Sequence, residues 1–334
     1  MNITIEYWYH GYRINNVSLV TALVLNLMLA PVSFANNKII AVPVCDTSHS
    51  PTFNKQSLHL ISDEFMFLEG PTWSSTEQSF FFSEMNINGP QAHGPEANIY
   101  RYTPHESPKL FVANSGSNGL LAHKGNLFTM NHYSRGLTKI SLNDAQHSPQ
   151  QLVSHYKNAK FNSPNDLIMH SNGSIYFTDP DWQLGNRKAQ LPFTGVYRLT
   201  ADGDLSLVSH TLIKPNGIAL SVDESVLYVG DASNTIHLFS VNKQGQVGQA
   251  ISTMTINSPD GMAIDCAGNL YATSHSSGKI HIFNPQSERL DTLDLKVNVT
   301  NVAFGGQDGK TLLITTAKGL YQIQTQLPGK GQFK

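Results

Sequence analysis

Residues 165–179 read NDLIMHSNGSIYFTD. A polar start, Asn165, leads into an apolar stretch, a Ser-Asn-Gly turn and a second run rich in aromatic and β-branched residues that ends on an acid. Asn and Gly tolerate the backbone angles of a reversal, and Ile, Tyr, Phe and Thr suit a pleated surface, so the segment reads as two short strands joined by a tight turn. The plan recurs on both sides. Upstream stand NGLLAHKGNLFTMNH from Asn118 and EGPTWSSTEQSFFFSE from Glu69. Downstream come NGIALSVDESVLYVGD from Asn216, DGMAIDCAGNLYATSH from Asp260 and NVAFGGQDGKTLLITT from Asn301. Consecutive starts lie 41 to 51 residues apart, the length of one four-stranded propeller blade.

GVYRLTADGD, NTIHLFSVNKQG and GKIHIFNPQSER supply a third strand and its turn in three of the units. No segment beyond residue 35 carries a long apolar stripe at helical spacing, so the chain is expected to be all-β. Six such units predict a six-bladed β-propeller over residues 57–334, since radial closure protects strand edges. The stretch LHLISDEFMF, ahead of the first unit, is expected to close the ring as the outer strand of the last blade.

The N-terminus belongs to a different class. VSLVTALVLNLMLA, residues 17–30, is followed by PVSFA and then the polar NNK. It reads as the apolar region of a signal peptide spanning residues 1–35, with Ser33 and Ala35 at the cleavage positions. An uncleaved anchor is the alternative, although the run is short for a membrane span. Residues 36–56 are expected to form an N-terminal extension, and the mature protein to be periplasmic or secreted. Cys45 and Cys266 are the two cysteines, and they can be either one long-range disulfide or two separate thiols. Charged residues make up 14% of the chain and the net charge is −2, with no basic stripe, which argues against a nucleic-acid partner. No further apolar span points to stable membrane insertion after cleavage.

In a propeller the first strand of each blade lines the central channel. Glu69, Asn118, Asn165, Asn216, Asp260 and Asn301 then occupy matching places around one mouth, and a ring of carboxylate and amide oxygens suits a hard cation such as Ca²⁺. Fourteen or fifteen residues further on come Glu84, His132, Asp179, Asp231 and His275, while the last unit has Thr315 and Thr316. Taken singly, Asn or Asp before Gly is a turn former, and this reading is preferred for Asn118 and Asn301. Asp179, in FTDPDW, can cap a turn, and His132 and His275 can be packed residues bonded to backbone. The six-fold recurrence carries the functional reading, and Glu69 supports it because Glu is not a typical turn residue.

On LEGPTW, FNSPNDLIMHSNGSIYFTDPDW, KPNGIALSVDESVLYVGD and SPDGMAIDCAGNLYATS the chain resembles the gluconolactonase and regucalcin family of Ca²⁺-dependent lactonase propellers, most of all its bacterial gluconolactonase branch. The resemblance runs over residues 60–323. It implies a metal held by Glu69, Asn216 and Asp260, with Asn165 facing the metal or the substrate, and Asp260 also activating the water. Two departures bear on the substrate. Met130, Asn131 and His132 stand where many relatives carry a Cys-Glu-His run, so the His is kept and the acid is not. DPDWQLG replaces the usual Tyr-Gly after Asp-Pro and places Trp182 in the aromatic wall.

Lactone hydrolysis needs a polarised carbonyl, an activated water and a stabilised leaving alkoxide. Ca²⁺, or another divalent metal, can serve the first and third, and a carboxylate the second. Asp260 is the preferred base, with Asp179 and His132 as rivals. Asn118, Asn165 and His132 are expected to contact the hydroxyls of a sugar lactone, and Trp182 or Tyr133 to pack on an apolar ring face. The absence of Gly-x-Ser-x-Gly argues against a serine hydrolase of that type. A phosphoester hydrolase using the same metal, a non-catalytic sugar-binding propeller and a purely structural Ca²⁺ are the other readings.

Overall fold

A computed structural model describes residues 45–331 apart from Ala145, and the leader expected at residues 1–35 lies outside the described residues. Six four-stranded antiparallel sheets follow one another along the chain, together with a two-stranded hairpin, His155–Tyr156 with Ala159–Lys160. The innermost strands are Phe67–Ser74, Ser117–His123, Leu167–Met169, Pro215–Leu220, Pro259–Ile264 and Val299–Gly305. Each begins within two residues of one of the six polar starts, so the repeat in the sequence is the blade in space. The one helical element among the described residues is a single 3₁₀ turn, His275–Ser277.

The sixth sheet is built from both ends of the propeller. Phe53–Ser62 pairs antiparallel with Leu320–Thr325 and supplies the outer strand of the last blade. It takes in the first half of the stretch expected to close the ring and begins at Phe53, inside the segment read as an extension. Loops between the first two strands of each blade lie at the far end of the channel. There the C-terminal tail runs across, with Gly329 N–H donating to Gly309, Lys330 N–H to Ile264 and Lys330 Nζ to the Ser221 carbonyl. Cys45 and Cys266 form a disulfide at the same end, in the first turn of blade five.

Apolar residues fill the wedges between blades. Phe80, Phe82, Trp73 and Leu68 of blade one meet Leu313 and Leu320 of blade six. Tyr271, Ile280 and Ile282 of blade five meet Phe304, Leu312 and Ile314 of blade six. The aromatic and β-branched content of the second and third strands therefore serves inter-blade packing, in which each large side chain buried contributes about 1.5–3 kcal/mol. Hydroxyls tie the blades nearer the channel: Ser83 donates to the Asn118 carbonyl, Thr178 to that of Asn216, and Thr300 of blade six to Leu68 of blade one.

Candidate active site

At the first-strand starts the chain comes very close to its neighbour. A β-carbon on Gly217 would collide with the Asp260 carbonyl, and one on Gly119 would meet the Asn165 carbonyl, to which the Gly119 N–H donates at 2.7 Å. This is why glycine follows the polar start in four of the six units. The remaining two carry Asp166 and Val302 at that place. Asp166 was not singled out by the sequence reading. An acid where the repeat otherwise wants glycine is the signal that would have found it.

Glu69, Asp166 and Asp260 are buried together at the mouth with Asn301, whose amide faces both Glu69 and Asp166. Burial, reinforced by the Asp260 and Asp166 carboxylates, raises Glu69 well above the usual carboxylate range. Burial pushes Asp166 up to about 7, against the opposing Leu167 and Ile218 amides and with the Asp260 charge adding to the rise. Burial raises Asp260 too, while His275 and Asn216 pull the other way. Its Oδ2 lies 3.3 Å from His275 Nδ1, and its Oδ1 has no partner. Burial alone would lower His275, but the adjacent Asp260 carboxylate outweighs it, so the imidazole is held above its ordinary value. The channel holds a cavity of about 120 Å³ that has Asp166 and Asn301 in its wall and Lys330 among its other lining residues.

Asn118 is buried with neither amide atom hydrogen-bonded, which a turn-forming role does not explain. Asn165 is buried, and its backbone is fixed by N–H donation to Thr178 and by accepting from Gly119. Asn301 likewise sits in the acidic cluster rather than in a simple turn. Three mutually repelling carboxylates with amide oxygens beside them form a donor set that fits a hard cation. Among the described residues no group of three or more His, Cys, Asp or Glu side chains converges as a metal site by itself, so the Asn amides would have to complete the shell.

The second set of recurring residues does a different job. Glu84 Oε1 accepts the Met66 N–H at 3.2 Å, Asp179 Oδ2 the Asn162 N–H at 2.8 Å and Asp231 Oδ2 the Ile213 N–H at 2.8 Å. Met66, Asn162 and Ile213 each stand three residues ahead of a polar start. These carboxylates clamp the loop that delivers the first strand. Asp179 is fully buried and pushed up to about 8 by that burial, with the Asn162 amide and Arg135 opposing, so it is mostly protonated at neutral pH. His132 lies under a roof in which Asn186 N–H donates to the Gln91 carbonyl. Its Nε2 meets the Pro95 carbonyl at 2.7 Å. A carbonyl only accepts, so Nε2 carries the proton and the unpartnered Nδ1 is a bare acceptor. Burial brings His132 down to about 4, which keeps it neutral. Trp182 is exposed at the rim, with Lys214 Nζ 5.1 Å from its ring centroid and Asp181 3.0 Å from the same ammonium.

Comparison with known proteins agrees with this architecture. A gluconolactonase of Zymomonas mobilis is 31% identical over 307 residues, covering 81% of this chain and 82% of its own. A pentonolactonase of Haloferax volcanii is 25% identical and covers 75% and 81%. Among solved structures, a gluconolactonase of Xanthomonas campestris superposes with a TM-score of 0.72 at 25% identity, over 86% of this chain and 97% of that one. A calcium-binding regucalcin of Agrobacterium tumefaciens, at 18% identity and a TM-score of 0.64, shares the fold. The SMP-30/Gluconolactonase/LRE-like region matches residues 67–318, and the chain belongs to that family.

Proposed function

We propose that this protein is a metal-dependent lactonase that opens a sugar lactone to its aldonic acid at the mouth formed by Glu69, Asn165, Asn216 and Asp260. The observation that carries this reading is the buried group of Glu69, Asp166 and Asp260, which costs stability unless a cation balances it. Glu69, Asn165, Asn216 and Asp260 would hold the cation, with Ca²⁺ the best match to all-oxygen donors. When bound, it supplies Lewis acidity to the ester carbonyl and charge stabilisation to the departing alkoxide.

Asp260 is assigned as the base. Its unpartnered Oδ1 accepts a proton from water as the water oxygen bonds to the carbonyl carbon, while His275 engages Oδ2. The ring C–O bond then breaks, and the proton passes to the alkoxide oxygen, giving the hydroxy acid. Asp179 fits less well because it is protonated near neutral pH. Asn118, with its amide unpartnered, and Asn165 are assigned to the substrate hydroxyls, with His132 and Trp182 as further contacts.

Export to an oxidising compartment belongs to the same proposal, and the Cys45–Cys266 bond supports it. The test is acid release from glucono-δ-lactone and a lactone panel, run with chelator and again after Ca²⁺ is restored. Turnover lost and regained with the metal supports the proposal. Chelator-resistant turnover removes the metal from it, and turnover of phosphoesters with none of lactones replaces the lactonase reading.

A further inference from the structure

The described residues expose nine large apolar side chains, and their distribution is uneven. Leu60, Leu110, Ile251 and Leu290 lie on outer strands, and Val222 in a turn at the far end of the channel. The other four gather at the mouth. Met66 (43% exposed) and Ile213 (61%) precede the first strands of blades one and four, Ile87 (46%) follows the second strand of blade one, and Trp182 (51%) follows that of blade three. Met66 and Ile213 hold the same place in the repeat, three residues ahead of Glu69 and Asn216. In a six-membered ring, blades one and four face each other across the channel.

These positions are not loose loop tips. The Met66 and Ile213 amides are the ones clamped by Glu84 and Asp231. Trp182 is steadied by Lys214, which is itself paired with Asp181. A solvated apolar side chain gains nothing from a fixed backbone unless something is laid against it, and scattered surface apolar residues do not collect round one opening.

We propose that the mouth is an apolar collar for the substrate, so that the favoured lactone carries an alkyl or aryl substituent. This rests on the lactonase reading and shifts the favoured substrate from a bare sugar lactone to a lactone that carries an apolar substituent. The ring carbonyl enters among the polar starts, and the substituent stays at the rim against Ile213, Met66 and the Trp182 face. Polar groups near the carbonyl are met by the Asn amides inside, so the collar selects at the end of the molecule that the sugar-lactone chemistry leaves unread.

The experiment uses the full mature protein with Ca²⁺ on unsubstituted δ-valerolactone, δ-octalactone and δ-decalactone, together with glucono-δ-lactone. Expected is a rise in kcat/KM of about twofold per methylene, half the roughly fourfold that complete burial of a CH₂ supports. Ile213→Ser and Met66→Ser should flatten that slope, and each replaces an exposed side chain whose clamped backbone is unchanged. A flat dependence in the wild type overturns the collar. A slope that survives both substitutions overturns it as well. Silence on every lactone, glucono-δ-lactone included, would instead sink the lactonase reading. Binding of the wild type to phosphatidylcholine vesicles, lost in Ile213→Ser while the wild-type slope is flat, would assign these residues to a lipid surface and reject the proposal.

Discussion

His275 Nδ1 stands 3.3 Å from Asp260 Oδ2, joining the end of the second strand of blade five to the start of its first. The contact leaves the other Asp260 oxygen buried and unpartnered, while the Asp260 carboxylate itself opposes the ionisation of Glu69. Reactivity and instability therefore share one side chain.

Asp260→Asn should separate the two. Loss of the base is expected to lower kcat by about 10²–10⁴-fold. Melting temperature measured in chelator should stay level or rise, because a carboxylate that raises Glu69 has been removed. A variant that keeps full turnover would remove Asp260 from the chemistry, and one that loses its fold would show the group to be structural.

Ca²⁺ should stabilise the protein through the same cluster. At a hundredfold excess over Kd a ligand binding only the folded state adds about 2.7 kcal/mol. Glu69→Gln and Asn216→Ala should each shrink the Ca²⁺-dependent rise in Tm and weaken binding by calorimetry. An unchanged calcium response in both would place the cation elsewhere.

Asp179 makes a pH prediction of the opposite kind to an ordinary salt-bridged acid. Its folded pKa of about 8 lies above the ordinary aspartate value of 3.8, so between those limits the folded state binds the proton that the unfolded state has released. Its stabilising contribution is complete below pH 4 and is lost as pH rises toward 8, by up to about 1.4 kcal/mol per pH unit. Asp179→Asn keeps an acceptor for the Asn162 amide and should flatten this part of the stability profile. Denaturant midpoints at pH 5, 6, 7 and 8 test it, and parallel profiles for wild type and variant would refute it.

The Cys45–Cys266 bond lies at the end of the channel away from Asp260, so reduction should affect stability and not turnover. Closing a loop of 221 residues in the unfolded chain stabilises the fold by at most about 5 kcal/mol in the chain-entropy account. Paired Cys45→Ser and Cys266→Ser substitutions should lower Tm while kcat holds. A large fall in kcat in a folded variant would mean that the two ends of the channel communicate.

The blade plan was legible because each unit repeats a polar start, a turn and an aromatic second strand at steady spacing. The ring of starts followed from that register, and Asn118 and Asn301 reached it although each alone resembles a turn former. Asp166 escaped notice because it occupies the glycine place, and only the close approach of the neighbouring blade shows what that place demands. Glu84, Asp179 and Asp231 recur as regularly as the starts, yet their partners are amides of a preceding loop. Periodicity marks that a position matters without telling a clamp from a reactive group. The burial of His132 depends on loops from blades one and three meeting over blade two, a long-range contact that no local pattern encodes.

The pairing of Phe53–Ser62 with Leu320–Thr325 also sets the order in which the molecule can be made. Five blades are complete in consecutive chain, while the sixth needs its first and last strands at once. The Phe53–Ser62 edge therefore stays unpaired until Leu320–Thr325 is in place, so an open seam persists while the other five blades fold. Continuity of the ring thus depends on two strands that are remote in the chain rather than on neighbours.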